Sequence, residues 1–219
     1  LAQADRGLKL DTKTAGKRKE PPTGFAQTVP GTMIMFTMMI LLTSGSILLV
    51  NERREGLLRR LASAPISRGS IILGKWASRV ALGLVQITFA MVIGVFAFGV
   101  DWGSALPMVA VILLAWACFN ASLGLLLANL VANENQMNAV AVISSLVLAA
   151  LGGCWWPIEI TPGWMQDLAG FLPTGWAMSS MNQLVHFGNG PASVLPQLAF
   201  LVLGALAMGA AAAKRFRFE

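Results

Sequence analysis

Long, nearly uninterrupted apolar runs alternate along this chain with shorter polar stretches. Because a bilayer core of about 30 Å requires about 20 helical residues, an apolar run of that length predicts a membrane-spanning helix. The pattern therefore predicts an all-α fold, a polytopic membrane helix bundle with about five spans present. The five runs lie at residues 30–50, 80–100, 105–131, 138–156 and 192–213.

Three stretches beside these runs have a different character. Residues 1–28 are rich in Lys, Thr, Gly and Pro, and we interpret them as a polar external linker or the end of an external domain, with residues 29–219 as the membrane domain. Residues 51–79 are basic, whereas residues 157–191 contain four prolines and two acids and are typical of an interfacial segment. Because the first residue is Leu instead of Met, we expect the chain to start partway through a longer protein.

Composition narrows the class of protein further. Apolar residues make up 56% of the chain and charged residues 12%, with a mean hydropathy of +0.67. Soluble domains carry about 45–50% apolar and about 25% charged residues. Because so few charged side chains cannot cover a water-facing surface, the composition excludes a disordered chain and argues against a soluble enzyme.

The basic residues occupy three blocks that flank the predicted spans. Six of the 16 lie within residues 1–20, seven within 51–79 and three within 214–217, while residues 80–213 contain none. Lys and Arg are costly in the bilayer core. The net charge of +6 therefore describes the flanks of membrane helices, and it predicts no nucleic-acid binding.

The number of spans and the positive-inside rule together predict an orientation. Four spans separate residues 51–79 from the C-terminal tail, so both lie on one side, and their ten basic residues predict that this side is the cytoplasm. The six basic residues near the N-terminus then lie outside, against the rule, which long translocated domains escape. Five tryptophans fall at the predicted outer interface, where amphipathic rings anchor: Trp102, Trp155, Trp156, Trp164 and Trp176.

The chain offers little chemistry for catalysis or for metal binding. Cys118, Cys154 and His186 form no metal-ligand pattern, so we predict no metal site, no catalytic residue, and cysteines that only pack. The sequence contains no Walker lysine motif, so we expect ATP hydrolysis on a separate chain. The acidic residues fall at span ends or in loops, which argues against an ion-coupled transporter.

Two functions from other classes stay open at this point. A structural or mechanotransmitting subunit transmits force without a substrate path of its own. A membrane-embedded enzyme is the least favoured alternative, because it needs clustered Asp, Glu, His or Lys near the interface. Glu159 and Asp167, the nearest acidic pair, lie eight residues apart without a basic companion.

The basic stretch 51–79 predicts a short amphipathic helix. Asn51 suits an N-cap, Glu52 suits the first turn, and Pro65 ends the helix. Such a helix either lies on anionic lipid headgroups or docks its leucines into a groove on a cytoplasmic partner, and periodicity alone favours the lipid interpretation. The leucines on one side are Leu57, Leu58 and Leu61, and the arginines on the remainder are Arg53, Arg54, Arg59 and Arg60.

Specific motifs give the chain a family resemblance. The run Glu-Arg-Arg-Glu-Gly-Leu-Leu-Arg-Arg-Leu-Ala-Ser-Ala-Pro-Ile-Ser at 52–67, followed by Leu-Gly-Lys at 73–75, resembles the cytoplasmic loop of type 2 ATP-binding-cassette (ABC) exporter permeases. Leu-Gly-Gly-Cys-Trp-Trp-Pro-Ile at 151–158 is similar to the family's outer segment, where a glycine and a proline break a span before two short helices. Phe-Ala-Gln-Thr-Val-Pro-Gly at 25–31 resembles the entry to the family's second span.

The resemblance implies a six-span permease subunit of an ABC exporter in the bacterial cytoplasmic membrane, here without the first span. It also implies a dimer with a second permease subunit (a homo- or heterodimer), contact with membrane lipid, and a cytoplasmic ABC ATPase that binds ATP and Mg, with no cofactor on this chain. The implied ATPase-coupling helix comprises Glu52, Arg53, Arg54, Glu55, Gly56, Leu57, Arg60 and Leu61. The implied outer gate comprises Gly152, Gly153, Pro157 and Pro173.

Residues that line a translocation path are only weakly indicated. Polar side chains in membrane helices usually bond to their own backbone or to a neighbouring helix, so packing is the favoured interpretation. The substrate stays open among drug, lipid, peptide and lipid-linked glycan. For residues 158–187 we predict two short helices at the outer interface and no sixth full span. The polar candidates are Thr43, Ser44, Ser46, Asn120, Ser122, Ser144 and Ser145.

Overall fold

The computed structural model describes residues 21–57, 67–131 and 133–215, and these residues form a bundle of α-helices. Five of the helices are long and apolar enough to cross a membrane, which confirms the predicted all-α polytopic bundle. They are α1 (Phe25–Arg54), α2 (Arg68–Phe98), α3 (Leu106–Leu130), α4 (Glu134–Leu151) and α7 (Leu195–Arg215). Two helices between α4 and α7 are short: α5 (Gly163–Ala169) and α6 (Pro173–Met181).

Local capping residues set where several helices begin and end. The Ser67 hydroxyl oxygen accepts a hydrogen bond from Ser70 N (3.1 Å) at the start of α2. Asn133 Oδ1 accepts one from Gln136 N (2.8 Å) at the start of α4. Both contacts satisfy backbone N–H groups that a helix start leaves without an intrahelical partner. Gly99 ends α2 in the left-handed conformation, with a φ of 63°.

Helix α3 lies at the centre of the bundle. It packs most extensively against α7 and α1, and it also contacts α2 and α6. Trp116 of α3 is fully buried, stacks on Phe119, and donates its indole N–H to Ile34 O of α1 at 3.2 Å. Gly204 of α7 lies against Phe119, where a Cβ would come within 2.7 Å of the ring. Close packing of α1, α3 and α7 therefore forms the main core.

The outward faces of the bundle are strongly apolar. Helix α2 exposes Val85, Phe89 and Phe96, the last with 85% of its surface accessible, and α7 exposes Leu203 and Leu206. Soluble monomers rarely expose contiguous apolar patches of this kind. Such faces require lipid or another apolar protein surface around them, in agreement with membrane-spanning helices.

The predicted start of the second span is wrong. Helix α2 begins at Arg68 and not at residue 80, so Lys75 and Arg79 belong to the helix instead of a loop. With 31 residues α2 extends for about 46 Å, which exceeds the thickness of a bilayer core. A helix of this length carries basic residues on its first three turns, beyond the hydrocarbon region.

The fourth span is also shifted relative to its prediction. Helix α4 comprises Glu134–Leu151 instead of residues 138–156. Gly153 has a φ of +78°, a conformation that side chains disfavour, and the helix ends just before it. Because Trp155 and Trp156 continue the apolar run past this break, hydropathy alone placed the helix end too late.

Residues 152–190 form a re-entrant segment between α4 and α7. The segment contains α5, α6 and a π-helical turn at Asn182–His186 that continues α6. Pro162 precedes α5 and Pro173 begins α6, positions where a missing N–H group is not needed. Helix α6 packs against α1, α3, α4 and α7, so it returns into the bundle. The prediction of two short helices without a sixth full span is confirmed.

The end of α7 packs against helices α1 and α3 at one end of the bundle. Ala212, near the end of α7, packs in one cluster with Leu49 of α1 and Leu125 of α3. Asn129 Nδ2 at the end of α3 donates a hydrogen bond to Ala212 O at 3.3 Å. The end of α7 therefore lies beside the end of α1 and the start of α2, as the number of spans predicts. We call this the basic end, and the opposite end, with residues 152–190, the re-entrant end.

Candidate functional site

Charged side chains at the basic end connect α1 to α2. Glu52, in the last turn of α1, forms an ion pair with Lys75 of α2, and both side chains are largely shielded from solvent. The Glu52 carboxylate also attracts the guanidinium of Arg79, which is only 4% exposed one turn further along α2. One carboxylate at the end of α1 therefore interacts with two cations on α2.

A tryptophan connects α2 to the central helix at the same end. The Trp76 indole N–H donates a hydrogen bond to Ser122 Oγ of α3 at 3.0 Å, and the ring packs beside Leu49 and Leu125. Ser122, which the sequence suggested as a packing or path residue, therefore acts as a helix-packing contact. Together with the ion pair, this bond makes the ends of α1, α2 and α3 one connected unit.

The structure corrects the predicted start of the coupling helix. Glu52, Arg53 and Arg54 form the last turn of α1, and Asn51 lies inside that helix, where its carbonyl accepts a hydrogen bond from Glu55 N at 2.8 Å. An N-cap requires a non-helical backbone, so Asn51 does not begin a separate helix. Nothing in the sequence around Asn51 interrupts the backbone ladder of the preceding span.

A glycine ends α1 within the predicted coupling segment. Gly56 has a φ of +72°, a left-handed conformation, and Leu57 follows it with an exposed side chain. The other coupling residues, including Arg60 and Leu61, lie outside the described residues, as does Pro65. Their role in coupling stays a prediction.

Two glycines bring backbone segments into direct contact at the re-entrant end. A Cβ atom at Gly31 of α1 would lie 1.8 Å from Cys154 O, and one at Gly152 would lie 2.1 Å from Thr174 Oγ1 of α6. Because both distances are far below van der Waals contact, any side chain at either position forces the neighbouring segment to move. Gly152 was predicted as a gate residue, whereas the contact of Gly31 was not.

Hydrogen bonds reinforce these glycine contacts. Gln27 Nε2 of α1 donates to Gly153 O at 2.8 Å, and Thr174 Oγ1 of α6 donates to Leu148 O of α4 at 2.6 Å. The start of α1, the end of α4 and the start of α6 are thereby held together. The predicted gate residues Gly152, Gly153 and Pro173 lie within this junction.

The remaining predicted gate residue, Pro157, has a more local role. It precedes the 3-10 turn Ile158–Ile160, which leads the chain away from α4 toward α5. The sequence predicted that Pro157 ends the fourth span, but α4 already ends at Leu151, so Pro157 only begins the turn that follows.

His186 completes the hydrogen bonding of α1 at this end. Pro30 lies inside α1 and has no N–H to donate to Ala26 O, four residues earlier. His186 Nε2, from the π turn, lies 3.0 Å from that carbonyl oxygen and donates to it. Burial lowers the pKa of the His186 imidazole, while this hydrogen bond and the charge of Glu159 oppose the shift. A neutral histidine therefore replaces the backbone bond that Pro30 removes.

The Cys154 thiol is buried at the junction. Burial raises the pKa of the Cys154 thiol to about 12, which keeps it protonated and unreactive at neutral pH. Across residues 21–57, 67–131 and 133–215, His, Cys, Asp and Glu side chains form no group of three suited to a metal ion.

Most polar side chains proposed for a path bond within their own helices. Thr43 Oγ1 donates to Met39 O at 2.8 Å and Ser44 Oγ donates to Ile40 O at 2.7 Å, both in α1. Ser144 Oγ similarly donates to Ala141 O in α4, and Asn120 Nδ2 donates to Trp116 O in α3. These bonds support helix packing as the role of these residues, as favoured from the sequence.

An all-α bundle with five candidate spans, a basic end and a re-entrant segment is the architecture of a multi-pass membrane protein. The model of the family described as "ABC-2 family transporter protein" matches residues 3–214 of the chain. The chain therefore belongs to the ABC-2 family of transporter proteins. This confirms the resemblance to type 2 ABC permeases that the loop and outer motifs indicated.

Several curated permeases are similar to the chain. The linearmycin resistance permease protein LnrN of Bacillus subtilis (strain 168) is 28% identical over 193 residues, which cover 88% of this chain and 49% of that protein. In Escherichia coli (strain K12), the probable multidrug ABC transporter permease YbhS is 26% identical (81% of this chain, 48% of its own length) and YbhR is 23% identical (66% and 39%). The chain thus spans about half, or less, of these relatives. No solved structure matches significantly.

Proposed function

We propose that this chain is the membrane-spanning part of a permease subunit in an ATP-driven ABC exporter. It forms the translocation path as a dimer and is coupled through residues 52–61 to a separate cytoplasmic ATPase that binds ATP and Mg. The family membership supports a permease of an ABC transporter. The proposal adds to this that the chain forms a translocation path, acts as a dimer, exports its substrate and is coupled to the ATPase.

The continuity of α1 is the observation that carries the proposal. This helix has 30 residues and extends for about 45 Å, which is long enough to run from one membrane surface to the other. Its last turn contains Glu52, the first residue of the proposed coupling segment. Its first turns contain Gln27 and Gly31, which contact the re-entrant segment at Gly153 and Cys154. One stiff element therefore joins the coupling segment to the proposed outer gate.

The contacts at the basic end couple a displacement of α1 to other helices of the bundle. The Glu52–Lys75 ion pair moves α2 together with α1, and the Trp76–Ser122 hydrogen bond couples α2 to α3. A partner that shifts the segment after Glu52 thus acts on three helices. Leu57 supplies an exposed apolar contact for such a partner, next to a glycine that permits a close backbone approach.

The placement of charged residues and the names of the relatives support an exporter that uses ATP hydrolysis instead of an ion gradient. Ion-coupled transporters place titratable groups inside their spans, whereas between residues 80 and 213 the acids here lie at Asp101, Glu134, Glu159 and Asp167, all outside the spans or at a span end. Two relatives are named for linearmycin resistance and for multidrug transport. These names support export of a drug-like cargo.

Replacement of the coupling leucines tests the proposal. We expect the double change Leu57→Asp and Leu61→Asp to leave the permease inserted, because neither residue belongs to an apolar run predicted to span the membrane, and to reduce ATPase co-purification and ATP-driven transport at least tenfold. Phe171→Asp is the matched control, since it makes the same kind of change at an exposed site of the re-entrant end and should retain the ATPase. Normal transport by the leucine variant with stoichiometric ATPase would contradict the proposal.

The orientation has its own test. With the basic end in the cytoplasm, a cysteine introduced by Ser67→Cys stays unlabelled when intact cells are treated with a membrane-impermeant thiol reagent. A cysteine introduced by Asn189→Cys labels readily. Cys118 is replaced by Ala for this experiment, whereas Cys154 can stay because its thiol is buried and protonated. Labelling of position 67 from outside would reverse the orientation.

A further inference from the structure

A pocket of about 230 Å³ lies between the re-entrant segment and the first turns of α7. Its lining combines polar and aromatic side chains: Gln166, Trp176, Ser179, Asn182, Gln197 and Phe200. None of the 14 lining residues is charged. Gly152 and Gly153 form one wall of the pocket, so it borders the junction with α1, but the coupling proposal assigns no role to its polar side chains.

Two amide side chains in this pocket have oxygens without a hydrogen-bond partner in the described structure. Asn182 is only 4% exposed, and its Oδ1 is buried without a donor; Gln197 Oε1 is in the same situation. Buried polar atoms in folded proteins are almost always paired, because loss of hydration without a replacement is unfavourable. Asn182 and Gln197 both line one pocket, and a ligand there that supplies hydrogen-bond donors pairs these oxygens after a rotation of the amide groups.

The backbone at Asn182 is itself unusual. Asn182 begins the π-helical turn that runs to His186, and its carbonyl accepts a hydrogen bond from Phe187 N at 2.9 Å. Single π turns inside helical segments are rare and are frequently found at functional sites. This turn sets where the Asn182 amide lies relative to α7, independently of the unpaired oxygens.

Trp176 and Phe200 define the apolar side of the pocket. Their rings stack with centroids 5.1 Å apart, and the Trp176 indole N–H already donates to Gly170 O at 2.7 Å. Phe200 and Leu203 of α7 are exposed on the lipid-facing surface that leads away from the pocket. A ligand bound here therefore has its polar group beside the amides and its apolar part along α7.

We propose that this pocket binds the uncharged, hydroxyl-bearing polar group of an amphiphile, such as a sugar or glycerol headgroup. A hydroxyl both donates and accepts, so it can pair with either end of the Asn182 and Gln197 amides. A charged headgroup is disfavoured because the lining offers no countercharge. The volume is below the range of about 300–1,000 Å³ that is typical for drug-sized ligands, which suits a polar group alone, with its chain outside.

Binding of octyl β-glucoside below its micelle-forming concentration tests the proposal. The permease, reconstituted in lipid nanodiscs, is melted with and without the glucoside, and with octyl sulfate as a probe with the same chain and a charged head. We expect the glucoside alone to raise the melting temperature by several degrees. Asn182→Leu, which removes the unpaired amide at similar volume, should abolish that increase and, without ligand, should melt no lower than the natural protein.

Asn120→Leu is the matched control. Asn120 Oδ1 on α3 is also buried without a partner in the described structure, but Asn120 does not line the pocket, so its replacement should leave the glucoside effect intact. The proposal is overturned if the glucoside stabilises the Asn182→Leu variant equally, or if octyl sulfate acts as strongly as the glucoside.

Two further measurements distinguish the source of the natural ligand, and neither requires the coupling proposal to be correct. Native mass spectrometry of the protein extracted from its own membrane detects a resident glycolipid or acylglycerol as a mass retained by the natural protein and lost from Asn182→Leu. A transported cargo instead leaves no such mass but competes with octyl β-glucoside for the pocket. Either result identifies the source of the hydroxyl-bearing group.

Discussion

The basic end and the re-entrant end hold the same helix, α1, by different kinds of contact. At the basic end a side-chain ion pair between Glu52 and Lys75 joins α1 to α2. At the re-entrant end the backbone of α1 at Gly31 touches the backbone at Cys154 without any intervening side chain. Ion pairs between flexible side chains tolerate small shifts, whereas a backbone contact at van der Waals distance does not.

The two ends therefore differ in how they respond to a displacement of α1. The basic end can adjust, because charged side chains change rotamer at small cost and the segment after Gly56 continues beyond the ion pair. The re-entrant end must follow α1 as a unit. We therefore infer that the basic end receives a displacement and that the re-entrant end reproduces it.

The largest expected effect on stability comes from adding a methyl group at the backbone contact between Gly31 and Cys154. Gly31→Ala places a Cβ 1.8 Å from Cys154 O, so α1 or the re-entrant segment must move. We expect a loss of about 3 kcal/mol or more of unfolding free energy, at the upper end of overpacking costs. Thermal unfolding of the detergent-solubilised permease measures it.

Gly74→Ala is the control for the added methyl group. Gly74 lies inside α2 with open space around its Cβ position, so alanine should be neutral or should stabilise by up to about 1 kcal/mol through helix propensity. If Gly31→Ala melts at the same temperature as Gly74→Ala, the rigid contact at the re-entrant end is not present.

The sequence predicted the kind of element at each end better than it predicted the contacts. Hydropathy identified all five spans, although not the start of the second or the bounds of the fourth, because burial in lipid requires long apolar runs, which are a local property of the chain. The Gly31–Cys154 contact joins residues more than 100 positions apart, and no local pattern at Gly31 signals it. Gly152 was predicted as a gate residue because residues 151–158 resemble the family's outer segment, in which a glycine and a proline break a span.

At the basic end, the start of α2 was predicted wrongly because a sequence pattern again reports only local properties of the chain. Lys75 and Arg79 were assigned to a loop because basic residues are excluded from a span, but a helix can continue past the membrane surface. The Glu52–Lys75 pair then follows from two helix ends that lie side by side, which the sequence does not reveal. Residues 58–66 stay a prediction from sequence alone.

A smaller effect is expected from breaking the ion pair. Glu52→Gln leaves the shielded Lys75 and the buried Arg79 without their shared carboxylate, and we expect a loss of about 1.5–3 kcal/mol, typical of hydrogen bonds to charged groups. Thermal unfolding of Glu52→Gln, Lys75→Gln and the double variant forms a mutant cycle. Strictly additive losses would show that the two residues do not interact.

The smallest effect concerns pH at the re-entrant end. Because burial lowers the pKa of His186 in the folded protein, the unfolded chain takes up a proton first as the pH falls. The stability contributed by neutral His186 is therefore complete above its ordinary pKa of about 6.5 and decreases as the pH falls below that value. We expect a small decrease in melting temperature between pH 7.5 and 5.5 that His186→Gln removes. An identical pH profile in this variant would contradict the role given to His186.

The central claim is that a displacement at the coupling segment reaches the re-entrant segment through α1. An environment-sensitive fluorophore attached through Ile160→Cys, an exposed site in the 3-10 turn before α5, reports this directly in the permease assembled with its ATPase, with Cys118 replaced by Ala. ATP with vanadate should change the emission in the otherwise unaltered protein and leave it unchanged in the Leu57→Asp, Leu61→Asp variant. Emission that changes equally in both proteins, or in neither, would contradict the account.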